Sequence, residues 1–343
     1  MSFELQPIKL RAPYLVFAGG ETDPTYAKTA FGIVQWRPEL CIGQMRLSAA
    51  AVDLGLEDLT PAEAAARGAG SMIIGVANVG GVIPENWLDA MFDAARAGLD
   101  IVAGLHTPLE EAPGLAEAAA KSGARLVNVR VPPKKLPVGS GRKRGGRRVL
   151  TVGTDCAVGK KYTALQLERD MRAAGMDAQF RASGQTGIMI AGEGLPIDAV
   201  VSDFLSGAAE ILSPENDPDH WDVIEGQGGI FHPGYAAVSC GLLIGSQPDA
   251  VVICHEAGRR VISGWEHFPL PTIGEVIERT IEIGRLTNPE IRAVGVSVNT
   301  SSLPPAERDS YLKELSDQYD LPAVDPLKHG TGAIVEELTR AFG

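Results

Sequence analysis

Residues 149–163, Val-Leu-Thr-Val-Gly-Thr-Asp-Cys-Ala-Val-Gly-Lys-Lys-Tyr-Thr, constrain the fold more than any other stretch. Positions 149–152 read as a short buried strand and 153–159 as a loop with glycine at each end. From Lys160 the pattern is helical, with Leu165, Leu167 and Met171 among charged residues and Gly175 as the stop. Strand, glycine-framed loop and helix make a phosphate cradle. Small residues let backbone N–H groups close on an anion, the helix N-terminus adds positive potential, and lysine adds a full charge. The candidate cofactor-binding set is therefore Gly153, Thr154, Asp155, Cys156, Ala157, Val158, Gly159, Lys160, Lys161, Tyr162 and Thr163.

The cradle departs from the regular P-loop twice. Five residues separate Gly153 from Gly159, one more than the regular motif has. This longer form is similar to the loop of dethiobiotin synthetase. The residue after the first lysine is Lys161, where a nucleotide triphosphatase places the Ser or Thr hydroxyl that holds Mg²⁺. A second ammonium cannot ligate a metal, but it can hold another phosphate oxygen. Thr163 stands two residues too late for that role. The expectation is a phosphorylated ligand without Mg²⁺–ATP hydrolysis, and no metal site.

Before the cradle, strands at 14–18, 72–76, 100–103 and 125–129 alternate with helical spacing over 85–97 and 109–121. That alternation predicts a parallel α/β unit of Rossmann type. Gly19-Gly20 follows the first strand, but no G-x-G-x-x-G is present, so a plain turn is expected there. Asn78, His106 and Asn128 fall at strand ends, where open α/β sheets bind ligands. Residues 132–148 hold seven basic residues and no acidic one. Their Pro/Gly content reads as a linker, and their charge as a possible neighbour of the phosphate.

After the cradle, strands are expected at 178–181, 199–202, 221–224, 250–254, 293–298 and 321–324, and helices at 273–284, 303–319 and 332–342. Gly-Gln-Thr-Gly (184–187) reads as a flexible loop presenting Gln185 and Thr186 to a ligand. Glu225 ends a central strand beside the cradle and is followed by Gly226-Gln227-Gly228-Gly229 and His232. A carboxylate there is placed for general-base work, and the glycines admit a substrate closely. Arg181, Arg259 and Arg260 are candidates for holding carboxylates through the guanidinium fork.

The fold class is thus α/β: an N-terminal Rossmann-like parallel-sheet domain (1–131), a basic linker (132–148) and a P-loop-type α/β catalytic domain (149–343). A net charge of −12 argues against nucleic-acid and membrane-surface roles. Cys41, Cys156, Cys240 and Cys254 form no CxxC pair and read as reduced thiols of a cytoplasmic protein. No signal peptide or bilayer-spanning run is apparent. A homo-oligomer is expected.

The run over 152–163, the segment Ser-Gly-Gln-Thr-Gly-Ile-Met-Ile and the segment Glu-Gly-Gln-Gly-Gly-Ile-Phe-His-Pro resemble a bacterial family that includes D-glutamate N-acetyltransferases of the DgcN type. The resemblance covers both domains and is strongest over 149–260. It implies acetyl transfer from acetyl-CoA to the amino group of D-glutamate. Coenzyme A carries phosphates that suit the two lysines, and thioester chemistry needs no Mg²⁺. Glu225 or His232 would act as base, the 226–229 amides would steady the oxyanion, and Arg181, Gln185, Thr186, Gln227, Arg259 and Arg260 are the substrate-binding candidates. Cys156 as an acyl-carrying nucleophile is the less favoured route. Two rivals stand beside this: an ATP-dependent ligase or kinase, and a non-catalytic nucleotide or CoA sensor.

Overall fold

In the computed structural model, residues 7–24, 26–76 and 81–343 are described. Asn78 lies outside them. The described residues form two compact units, one within 7–132 with 184–199, the other of 133–183 and 200–343.

The first unit opens with β1 (Ile8–Lys9), β2 (Tyr14–Gly19), α1 (Lys28–Trp36) and β3 (Cys41–Arg46). It continues through α2 (Pro61–Ala66), β4 (Ser71–Ile74), α3 (Leu88–Arg96), β5 (Asp100–Ala103), α4 (Leu115–Ser122) and β6 (Leu126–Asn128). Five strands make a parallel sheet in the order β3-β2-β4-β5-β6. β2, β4 and β5 are buried along their whole length, as expected of parallel strands covered on both faces. Leu15, Phe17, Met72, Ile74 and Ile101 pack with Met91 and Ala95 of α3. Pro113 splits the helix expected over 109–121 into a short 3-10 turn and α4. Asn128 accepts from Leu109 N at 2.9 Å and so caps that turn, while His106 is exposed.

The second unit starts with β7 (Arg147–Gly153), α5 (Lys160–Ala173) and β8 (Ala178–Arg181). The chain then returns to the first unit for α6 (Gln185–Ala191) and β9 (Glu193–Gly194), which pairs antiparallel with β1. The rest of the second unit is α7 (Leu205–Leu212), β10 (Trp221–Ile224), α8 (Ala236–Ser246), β11 (Ala250–Glu256), a hairpin of β12 (Val261–Ile262) and β13 (Trp265–Pro269), α9 (Ile273–Gly284), β14 (Arg292–Asn299), α10 (Arg308–Tyr319), β15 (Ala323–Val324) and α11 (Gly332–Phe342). Six parallel strands run β15-β14-β11-β7-β10-β8, which puts the strand feeding the cradle between β11 and β10.

Three expectations change. Residues 184–187 are not a flexible loop: Gly184 is the N-cap of α6, and Gly187 is buried within the helix. Residues 199–202 are not a strand, because two 3-10 turns, Ile197–Ala199 and Ser202–Phe204, occupy the stretch behind Pro196. The basic run does not approach the cradle through its last arginines. Arg147 and Arg148 begin β7, whereas the cradle follows its other end, six residues on, about 20 Å away at strand rise. Arg148, 1% exposed, donates to Ser213 Oγ and to the carbonyls of Arg144, Gly145, Gly146 and Pro214. Arg144 donates to the carbonyls of Ser213, Gly245 and Ser246. These two guanidiniums are taken up by backbone carbonyls and neighbouring side chains of the second unit.

Candidate functional site

The loop from Gly153 to Gly159 needs residues that tolerate unusual backbone. Ala157 (φ 56°) and Gly159 (φ 103°) both lie in the left-handed region, and Gly159 is the N-cap of α5. The first-turn amides of α5 have no intrahelical acceptor, which makes this end an anion site. Thr154 N donates to Cys254 O at 3.0 Å and Thr154 Oγ1 meets His255 Nδ1 at 3.1 Å, which docks the loop onto β11.

Lys160 is buried, and its Nζ donates to the carbonyl of Asp155 at 2.7 Å. Desolvation lowers its pKa, partly countered by Cys254, Cys156, Asp155 and Glu225. A phosphate must therefore take this ammonium from the loop's own carbonyl. Lys161 lies over the Tyr162 ring at 4.6 Å. The Thr163 hydroxyl is committed to Gly159 O at 3.0 Å and Ser297 Oγ at 2.8 Å, so it is not placed as a metal ligand beside the loop.

Asp155 puts a carboxylate inside the candidate anion cradle, and it is fully buried. Its Oδ2 accepts from Arg259 at 2.8 Å and from Ser263 N at 2.8 Å, and its Oδ1 from Cys156 N at 2.6 Å. Arg259 also donates to Cys156 O at 2.8 Å and pairs with Glu256. Arg259 is thus a brace for the loop, not an open fork for substrate. Ser263 escaped the sequence reading because its contribution is a backbone amide at a hairpin turn. The signal available was Asp155 itself, since an acidic group in a phosphate loop requires a cation beside it.

Arg181 is likewise not a free fork. Its strand neighbours β10, and its Nε donates to buried Asp222 at 2.6 Å. Asp222 also accepts from Ser213 Oγ at 2.6 Å and meets His220 Nε2 at 3.2 Å. Arg260 is exposed, and its guanidinium has no ion-pair partner among the described residues. Gln185 and Thr186 belong to the first unit, where Thr186 Oγ1 meets Thr29 Oγ1 at 3.2 Å and the Gln185 amide spans Gly104 O and Arg130.

Glu225 sits, buried, at the carboxyl end of β10, as its position in the sequence implied. Ser183 latches it: Ser183 N donates to Glu225 Oε2 at 3.0 Å and Ser183 Oγ to Glu225 O at 2.5 Å. Gln227 Nε2 donates to Ser183 Oγ at 2.9 Å. Gly226 is obligatory, because a Cβ there would lie 1.7 Å from Thr151 O. At Gly229 the nearest atoms would be 3.5 Å away, which leaves ordinary space.

His232 is 1% exposed, with Tyr235 and Trp265 against its ring at 4.5 and 4.7 Å. Its Nδ1 accepts from Gly234 N at 3.1 Å, so the neutral ring carries its proton on Nε2. In that tautomer His232 is a donor and not a base. Cys156 is half-buried, and burial raises its thiol pKa, which disfavours the thiolate an acyl-carrying cysteine needs.

Two family models match the chain, both described as domains of unknown function: the DUF1611_N Rossmann-like domain over 45–132 and the DUF1611_C P-loop domain over 137–335. The chain is 45% identical over 96% of its length to a D-glutamate N-acetyltransferase of Tritonibacter scottomollicae, covering 99% of that protein. It is 44% identical over 96% of its length to one of a Pseudoalteromonas species, covering 100% of that protein. A crystal structure of a DUF1611 family protein from Anabaena variabilis superposes with a TM-score of 0.82 at 29% identity, over 96% of this chain and 99% of that one.

Proposed function

The chain belongs to the DUF1611 family, and we propose that it is a D-glutamate N-acetyltransferase that takes its acetyl group from acetyl-CoA. The observation that carries the activity is the likeness, along nearly the whole of both chains, to two proteins bearing that name. The donor rests on the loop. Lys160 and Lys161 at the start of α5 suit the phosphates of coenzyme A, and no hydroxyl stands where Mg²⁺–nucleotide chemistry needs one.

In the reaction the substrate ammonium first loses a proton. Its nitrogen then attacks the thioester carbonyl, a C–N bond forms, the C–S bond breaks, and a second nitrogen proton leaves with CoA as the free thiol. Glu225 is the base in this reading: a buried carboxylate at a strand end, with His232 holding its proton on the wrong nitrogen for the task. The amides of 227–229 face the developing oxyanion, since Gly226 N already donates to Thr151 Oγ1 at 2.9 Å, and Gly229 leaves room for the acetyl group. Arg260 and Gln227 hold the substrate carboxylates. Four cysteines without a disulfide fit a cytoplasmic home, and no helix among the described residues is long and apolar enough to cross a membrane. Self-association into a homo-oligomer belongs to the same proposal.

The test is to mix the purified protein with acetyl-CoA and D-glutamate and follow free CoA thiol and N-acetylglutamate. The expected result is stoichiometric formation of both, with L-glutamate much slower and Mg²⁺ without effect. Hydrolysis of Mg²⁺–ATP with no acetyl transfer would overturn the reading in favour of a ligase or kinase. Binding of CoA with no turnover would overturn it in favour of a sensor.

A further inference from the structure

We propose that Asp155, Cys156 and His232 form a binding site for a zinc-class divalent cation within the second unit. No spacing in the sequence announces it, because His232 lies far along the chain from the other two. In the fold, one ligand atom from each lies within 4.8 Å of the others. Zinc bonds of about 2.0–2.3 Å put the ligand atoms of a tetrahedral site roughly 3.5 Å apart. The 3.9 Å between His232 Nε2 and Asp155 Oδ1 needs only a small closure.

The second observation is independent. His232 Nε2 is buried and has no hydrogen-bond partner among the described residues. A buried polar nitrogen left unpaired in a well-packed site needs an explanation. At 3.9 Å the Asp155 oxygen is too far to supply a hydrogen bond. An anion is a poor occupant, since the Asp155 carboxylate faces the same point. A cation satisfies all three groups. Arg259 and Ser263 N hold Oδ2 of Asp155, while Oδ1 accepts only from Cys156 N, which leaves it a second lone pair for the site.

The donor set decides the class. One imidazole, one thiolate and one carboxylate oxygen favour zinc over the hard, all-oxygen preferences of Mg²⁺ and Ca²⁺. Coordination through Nε2 moves the ring proton to Nδ1 and gives up the Gly234 contact, one neutral hydrogen bond exchanged for a metal bond. The Cys156 thiol loses its proton on binding, so affinity falls in acid. Three protein ligands leave a fourth position open to water or a substrate oxygen. The ion would tie loop residues 155 and 156 to the segment after β10, which fixes the cradle against the glycines beside Glu225. It is separate from Mg²⁺ carried by a nucleotide, and the acetyl-transfer reading does not depend on it.

The full-length protein is stripped with a chelator and titrated with Zn²⁺ and, separately, with Co²⁺. The expected result is one equivalent of zinc per chain, and a near-ultraviolet thiolate-to-cobalt band that Cys156→Ser abolishes. Cys156→Ser and His232→Gln each weaken zinc at least about ten-fold, with circular dichroism confirming the fold. Cys240→Ser, on α8, changes nothing. If His232→Gln does not fold, the cobalt band and affinity of Cys156→Ser decide alone. A folded wild-type protein that takes up no zinc, or variants that bind it as tightly as wild type, overturns the proposal. Neither readout uses acetyl transfer.

Discussion

The Lys160 ammonium donates to the carbonyl of Asp155 at 2.7 Å, across the loop that the two residues frame. The group best suited to grip a phosphate thus holds its own cradle shut. Ligand binding exchanges one partner for another, and that exchange has measurable consequences.

Burial lowers the Lys160 pKa from the ordinary 10.5, so below that value the unfolded chain binds its proton more tightly than the folded one. Stability of the free protein therefore rises with pH up to the ordinary lysine range. A bound phosphate pulls the other way, favours the ammonium, and makes binding take up a proton. Calorimetry should show acetyl-CoA binding weaken as pH is raised through the lowered Lys160 pKa toward the ordinary lysine range. Lys160→Met should lose about 10- to 100-fold in affinity, the worth of a charged hydrogen bond, together with part of that pH dependence. An unchanged affinity would remove Lys160 from the phosphate site.

Arg181→Met separates a structural from a substrate role. Asp222 would keep its burial but lose its guanidinium. Breaking a buried pair in this way costs about 3–5 kcal/mol, readable by denaturant unfolding. A rise in the KM for D-glutamate with stability untouched would show instead that Arg181 serves the substrate.

Gly226→Ala and Gly229→Ala form a pair. The first drives a methyl into Thr151 O, and the second meets ordinary contact distances. Gly226→Ala should lose at least about 1–3 kcal/mol or fail to fold, while Gly229→Ala folds normally. Equal thermal stability of the two variants would contradict the geometry.

Glu225→Gln keeps the shape of the side chain and removes its basicity. If Glu225 takes the ammonium proton, kcat should fall roughly 10²- to 10⁴-fold with both KM values little changed. The Ser183 N contact, which needs only an acceptor oxygen, survives the change. Turnover at the wild-type rate would pass the role of base to another group.

Much of the second unit was legible because its signals are local. The strand, loop and helix around 149–173 lie where the sequence put them, as do β10, β11 and α9. α9 even declares its start through a capping box, Thr272 with Glu275. α6 was hidden by two glycines, which mimic a loop until neighbours pack around them. α7 was hidden by its shortness and its small residues, and α8 by near-continuous small and apolar residues with no clear polar face.

The sequence alone determined that this chain builds parallel α/β units with a lysine-bearing, glycine-framed corner of P-loop type, because strand burial, glycine placement and helical period are written within a few neighbouring residues. Only the tertiary structure decided which charges are free. Arg181 and Arg259 read identically to Arg260 until Asp222 and Asp155 are seen beside the first two. His232 reads as a base until Gly234 N is found on its Nδ1. A side chain's partner is chosen by residues 40 to 110 positions away, brought close by packing that no local pattern encodes.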